Sequence, residues 1–158
     1  MNELQIHLFF NHVPVIGASV ALLVVIIGFV LKNSAVRATG LAVYIAMSLA
    51  VIPTYLTGEG AEERIENIAG ISEDVIESHE DMAKVSLWFM LGAAAIAAAS
   101  LYTQWKQHSR ASLLSIIFLV VAIGAFVQIG LTAHEGGKIR RPDLNSPSAT
   151  QPAAADKD

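Results

Sequence analysis

The sequence predicts an all-α fold: an integral membrane four-helix bundle, with a short acidic helical hairpin capping it between spans two and three. Three observations predict it. The 158 residues are 54% hydrophobic and only 15% charged, against roughly a quarter charged in soluble domains. Four stretches, 13–31, 38–58, 85–105 and 111–133, contain no Asp, Glu, Lys or Arg. At about 1.5 Å per helical residue each reaches about 28 Å or more, close to the hydrocarbon thickness of a bilayer. Lastly, nine of the fourteen acids fall in the one long connection, residues 58–84.

Span one, 13–31, opens with Pro14 in the first helical turn, where a missing N–H costs nothing. Asn11 or His12 then forms its N-terminal boundary. Span two, 38–58, carries Pro53 five residues before its end. That proline should kink the helix and free the carbonyl of Leu49.

The connection "GEGAEERIENIAGISEDVIESHEDMAK" follows. Ile65, Ile68, Val75 and Ile76 recur at helical spacing, so the extramembrane cap (59–84) reads as two short helices. The first covers about 61–69 and breaks at Gly70. The second is capped by Ser72, with Glu73 and Asp74 in its first turn, and runs on into span three past a Glu80–Lys84 pair.

Span three, 85–105, contains "GAAAIAAAS". Ala93 and Ala97, like Ala95 and Ala99, sit four apart, which lets a neighbouring backbone approach closely. Span four, 111–133, should end at "AHEGGKI", with Gly136 as C-terminal cap and Lys138 complementing the dipole. The transmembrane domain is therefore 1–137. The polar, Pro- and Ala-rich tail, 138–158, should be disordered. No internal repeat is evident beyond the pairs His79-Glu80 and His134-Glu135.

Four spans put both chain ends on one membrane face. The two short turns on the other carry Lys32, Arg37, Lys106 and Arg110 and no acid, the mark of cytoplasmic loops. Lys138, Arg140 and Arg141 argue the opposite way. The short turns take precedence because span one has no basic residue before it. Both termini are expected outside the cytoplasmic membrane.

Of five histidines, His7, His12, His79 and His134 map to the face that holds the chain ends, and only His108 to the other. Imidazoles gathered from several helix ends are what a transition-metal or haem iron takes as ligands. His7 and His12, five apart on a helix, point about 140° away from each other. They fit two sites, or a single site if the chain before Pro14 is not helical. Glu80 and Glu135 join the four histidines as candidate ligands if the group is a bare metal ion. No cysteine is present, which excludes disulfides, thiolate metal sites and covalent haem attachment. Nucleophile elbows, the His-Glu-x-x-His motif and phosphate-binding glycine loops are also missing.

The stretches "HLFFNHVPVIG", "YLTGEGAEE", "ESHEDMA" and "TAHEGGKI" together resemble the bacterial domain-of-unknown-function family (2231) of four-span membrane proteins that opens His-Pro-x-x-x-His-Phe-Pro. The matching positions are His7, His12 and Pro14, then Thr57-Gly58, His79, and His134 with Gly136 and Gly137. Leu8, Val13 and the acidic insertion depart from the pattern. The resemblance implies a bacterial inner-membrane protein, and some relatives are joined to haem-carrying electron-transfer domains.

The leading functional expectation is a protein that binds haem b or a metal ion through His7, His12, His79 and His134 at the outer face and serves respiratory electron transfer. It would be an electron carrier or subunit rather than a stand-alone enzyme. Haem would use the thin helix faces of Gly17, Gly92 and Gly130. Partners would be the lipid bilayer and a respiratory or cytochrome protein, with a homo-oligomer possible and no nucleic acid. One alternative is a non-catalytic scaffold or subunit whose acidic cap binds a partner. Another is a small transporter or metal-uptake protein, disfavoured by spans that carry no charge.

Overall fold

The computed structural model describes residues 2–65, 68 and 71–141. They form six helices: α1 (Glu3–Phe10), α2 (His12–Val30), α3 (Ser34–Leu49), α4 (Val51–Glu62), α5 (Glu73–Trp105) and α6 (Ala111–Arg140). Taken through the junctions at Asn11 and Ala50, these make four rods long and apolar enough to cross a membrane. At about 1.5 Å per residue, the 33 residues of α5 span about 50 Å, well beyond a hydrocarbon core of about 30 Å. The charge-free stretches are long enough to fill such a core, and His7 and His79 lie beyond them in sequence.

Local chemistry explains the breaks. Pro53 cannot donate to Leu49, and the rod divides there, α3 closing at Leu49 and α4 opening at Val51. The Thr54 hydroxyl donates to the Ala50 carbonyl at 2.8 Å beside the break. Asn11 ends α1 and precedes α2, so the chain before Pro14 is helical after all. An Asn2–Gln5 capping box starts α1.

Two helix ends and one cap differ from expectation. α4 runs past Gly58 to Glu62, so Ala61 and Glu62 belong to the second rod rather than to a separate cap helix. The remainder of that expected helix reaches residues 66, 67, 69 and 70, outside the described residues. Ser72 does precede α5, which continues unbroken into span three, but its side chain makes no capping bond. α6 does not stop at Gly136: it continues through both glycines to Arg140, because the Gly136 face is packed against rather than free to unwind. Residues 142–158 of the expected tail lie outside the described residues.

α2 packs on α3, α3 on α5, α5 on α6, and α6 back on α2, placing α2 opposite α5 and α3 opposite α6. Small residues set the spacing. A Cβ on Gly40 would stand 2.6 Å from Val25 Cγ2 and 2.8 Å from its backbone nitrogen, so α2 and α3 approach as only glycine allows. On α5, Ala93 and Ala97 are fully buried, whereas Ala95 and Ala99 face outward. Buried hydroxyls pair across α5 and α6: Ser100 with Ser115 at 2.6 Å, and Ser86 with Thr132 at 2.8 Å. The outer surface is apolar, including Leu23, Val30, Val120 and Leu131. Trp105 stands exposed at the turn face, with the Lys106 ammonium 4.4 Å from its ring, as in an interfacial aromatic belt.

The two halves repeat one design. A shift of 72 residues carries the buried positions of α2 (Pro14, Ala18, Ala21, Leu22, Val25 and Gly28) onto those of α5: Ser86, Met90, Ala93, Ala94, Ala97 and Ser100. A shift of 74 carries Leu41, Tyr44, Ser48 and Val51 onto Ser115, Phe118, Ala122 and Ala125, all buried. The turns match as well. Among the described residues, Lys32 and Gln107 are the two non-glycine residues with positive φ, 51° and 52°. The Asn33 N–H donates back to the Gly28 carbonyl, and the His108 N–H to that of Thr103, each at 2.9 Å. Both turns are thus Schellman closures; Asn33 then caps α3 through its side chain, whereas in the second turn the His108 ring accepts from the Arg110 N–H just ahead of α6.

Candidate functional site: two anchored imidazoles

His7 leaves α1 toward α4, where its Nδ1–H donates to the Thr54 carbonyl at 2.9 Å. The Thr57 hydroxyl stands 3.5 Å from the same nitrogen. Its ring lies over Gly58, at ordinary van der Waals distance from where a Cβ would be. His79 repeats the arrangement on the other hairpin. Its Nδ1–H donates to the Thr132 carbonyl at 3.0 Å, and its ring sits on Gly136, where a Cβ would be 2.8 Å from Cε1.

A carbonyl oxygen only accepts, so each imidazole must keep its proton on Nδ1. That leaves the Nε2 lone pair, for which neither ring has a hydrogen-bond partner among the described residues. Burial pushes both histidines below their ordinary pKa, outweighing the bonds to Thr54 and Thr132 that favour the charged form. At His79 the nearby His7 also opposes charge, while Glu135 favours it. Both rings are therefore neutral at neutral pH, oriented by a backbone carbonyl and able to donate through Nε2, as imidazole ligands of metals are.

The other expected residues stand differently. His12 and His134 are exposed, His12 on a different helix face from His7, as five-residue spacing requires. Glu80 is bound to Lys84 at 2.9 Å and Glu135 to Lys138 at 2.6 Å. Among the described residues no three His, Cys, Asp or Glu side chains meet as a metal-ligand group; His7 and His79 are each anchored on the second rod of their own hairpin. Met47 covers Gly17, while Gly92 and Gly130 face outward with open space beside them. The thin walls expected beside a haem are thus filled or turned outward.

One group gave no functional signal in the sequence. The Asn11 side-chain oxygen is buried without a hydrogen-bond partner among the described residues, one helical turn from His7, its backbone N–H bonded to the His7 carbonyl. Buried orphans of this kind are rare in folded proteins. An asparagine immediately ahead of His12 signals only a helix boundary.

No family profile, curated protein or solved structure matches the chain.

Proposed function

We propose that the protein is a multi-pass membrane protein that binds a metal-centred cofactor through His7 and His79. The observation that carries this reading is the anchoring of both rings: each Nδ1–H is spent on a backbone carbonyl, and each Nε2 is left as a neutral donor. The donor set fits a first-row transition-metal ion, for which imidazole is a preferred ligand, and the orphaned Asn11 oxygen is a further donor beside His7. Haem b requires only two axial imidazoles from the protein, but the glycine faces anticipated for it are taken up otherwise, so the ion is the better fit.

Such a group would supply redox or Lewis-acid chemistry. The chain itself holds two protons on Nδ1, keeps the rings uncharged and fixes their direction. Electron transfer with a respiratory partner at the face of the chain ends is the role we attach to it. Basic residues in both short turns support an outside location for that face.

The test is an absorption spectrum and metal analysis of the untagged full chain purified in mild detergent. A haem Soret band or a stoichiometric metal is expected, lost in His7→Ala and His79→Ala and kept in His108→Ala. Preparations with neither group, from cells supplied with haem precursor and trace metals, would sink the reading.

A second reading draws on the exposed acids Glu73, Asp74, Glu77 and Asp81 at the start of α5, which would form part of an acidic cap that docks a basic partner. Neutralising them would then release a co-purifying protein without changing the metal content.

A further inference from the structure

The seam between the two hairpins is open where α3 meets the last turns of α5. A groove of about 440 Å³ lies there, lined by Ile45, Ala98, Leu101, Tyr102 and Trp105. The four residues from α5 follow i, i+3, i+4, i+7 spacing and so share one face of that helix. Ala98 brings only a methyl group to the seam, which leaves room between Ile45 and the larger side chains. From Ala98 to Trp105, the last residue of α5, the groove runs about 10 Å along the helix. It therefore ends at the turn face of the bundle.

A cation stands at that end. The Lys106 ammonium is 4.4 Å from the centroid of the Trp105 ring and 5.9 Å from that of Tyr102. The two rings meet edge to face, with centroids 6.2 Å apart. A cation–π contact orients an ammonium but leaves its charge uncancelled. Carboxylates are remote: residues 13–58 and 85–133 contain no acid, and the ion pairs of Lys84 and Lys138 lie at the other end of the bundle. Arg37, the cation on the α3 side, is engaged elsewhere. Its Nε–H donates to Gln104 at 3.2 Å, and its guanidinium lies 4.9 Å from the Phe29 centroid. A smaller groove of about 150 Å³ on the α2–α6 seam, lined by Ser19, Leu22, Leu23, Ile26 and Phe126, has no charged residue in its wall.

We infer that the α3–α5 groove binds one anionic phospholipid, with an acyl chain along Ala98 and Leu101 and the phosphate at Lys106. This rests on the rods lying in a bilayer and not on the histidine reading. Basic residues beside clefts between spans are a recurrent way of holding anionic headgroups. The exposed Tyr102 and Trp105 bring an O–H and an N–H to the same end of the groove. Apolar wall, aromatic ring and unpaired ammonium thus follow one another along α5 in the order of a phospholipid's own parts, tail toward the span and phosphate at the helix end.

Tryptophan quenching in the full chain tests the site. Trp88→Phe, at an exposed position, leaves Trp105 as the sole tryptophan. The protein is placed in phosphatidylcholine vesicles that carry a minor fraction of phosphatidylglycerol brominated on its acyl chains, or of equally brominated phosphatidylcholine. The anionic lipid should quench Trp105 as though about fivefold enriched beside it, the preference that one surface cation confers. Lys106→Gln should remove the enrichment, and Lys32→Gln, in the other turn, should leave it. Equal quenching by the two lipids, or enrichment that survives Lys106→Gln, would overturn the site. So would equal losses from both lysine variants, which would assign the preference to the field of the whole face. A Trp105 shielded from both lipids would mean that a second copy of the chain covers the groove, and overturns it too. Native mass spectrometry of the unaltered chain gives a readout free of substitutions: one phosphatidylglycerol per chain should be retained over phosphatidylcholine, and equal retention counts against the proposal.

Discussion

The ring of His79 on α5 lies against Gly136 of α6, so close that a Cβ at that position would stand 2.8 Å from Cε1 and 3.2 Å from Nδ1. Glycine there is a condition for the histidine's bond to Thr132. It is not the helix terminator that its sequence context suggests.

Gly136→Ala should therefore push the ring off its carbonyl. Overpacking costs about 1–3 kcal/mol, and the helix-propensity gain over glycine returns about 1 kcal/mol. A net loss of about 1 kcal/mol is expected in thermal or denaturant unfolding, together with weakened metal binding. Gly137→Ala, with nothing within 4 Å of the added carbon, should instead be neutral or stabilising by up to about 1 kcal/mol. Equal effects at the two glycines would contradict the contact.

Acid should loosen the same end of the bundle. His7 and His79 both have native values below the ordinary 6.5, so the unfolded chain takes up protons first. Their contribution is complete above pH 6.5 and declines as the pH falls from there toward the lowered native values. Melting temperature in detergent should drop over that interval. His79→Gln should flatten the slope, whereas a slope unchanged in both single variants would assign the pH dependence elsewhere.

Ser100 and Ser115 share a 2.6 Å hydrogen bond inside the bundle. Either serine changed alone to alanine leaves a buried hydroxyl short of its partner, at a cost of about 1–3 kcal/mol. The double variant should cost less than the sum of the two. A double-mutant cycle measures the coupling, and strict additivity would mean that the bond contributes nothing.

Orientation is testable in intact cells. A cysteine at Glu77, exposed near the start of α5, should react with an impermeant thiol reagent, and one at Ser109 in the opposite turn should not. The reverse pattern would put the histidine face in the cytoplasm.

The rods were legible in the sequence because charge is intolerable in hydrocarbon, so its absence over 19 or more residues marks each helix long and apolar enough to cross a membrane. Pro53 announced the break at Leu49 through the donor it lacks. The Glu80–Lys84 pair followed from i,i+4 spacing and is present at 2.9 Å.

The repeat was not legible, because equivalent positions need only the same burial. Ala18 answers to Met90 and Leu22 to Ala94, with different side chains filling similar roles. Nor could spacing reveal which histidines turn inward. That depends on the Thr54 and Thr132 carbonyls, which belong to rods far away in the chain. The role of Gly136 was hidden for the same reason.

The tight turns at Lys32 and Gln107 have a consequence for the order of assembly. Each closes its hairpin with a short loop, so little chain entropy opposes the pairing of α2 with α3 or of α5 with α6. The first hairpin can form while the second is still being synthesised, since the contacts that pair α2 with α3 and α1 with α4 lie within residues 3–62. Docking of the two hairpins, through α3 on α5 and α6 on α2, is then the late step. Until it occurs, Tyr44 lacks its ring partner and His7 lacks its counterpart. A nascent chain halted after α4 would be inserted and paired, but it would have only one anchored imidazole to offer.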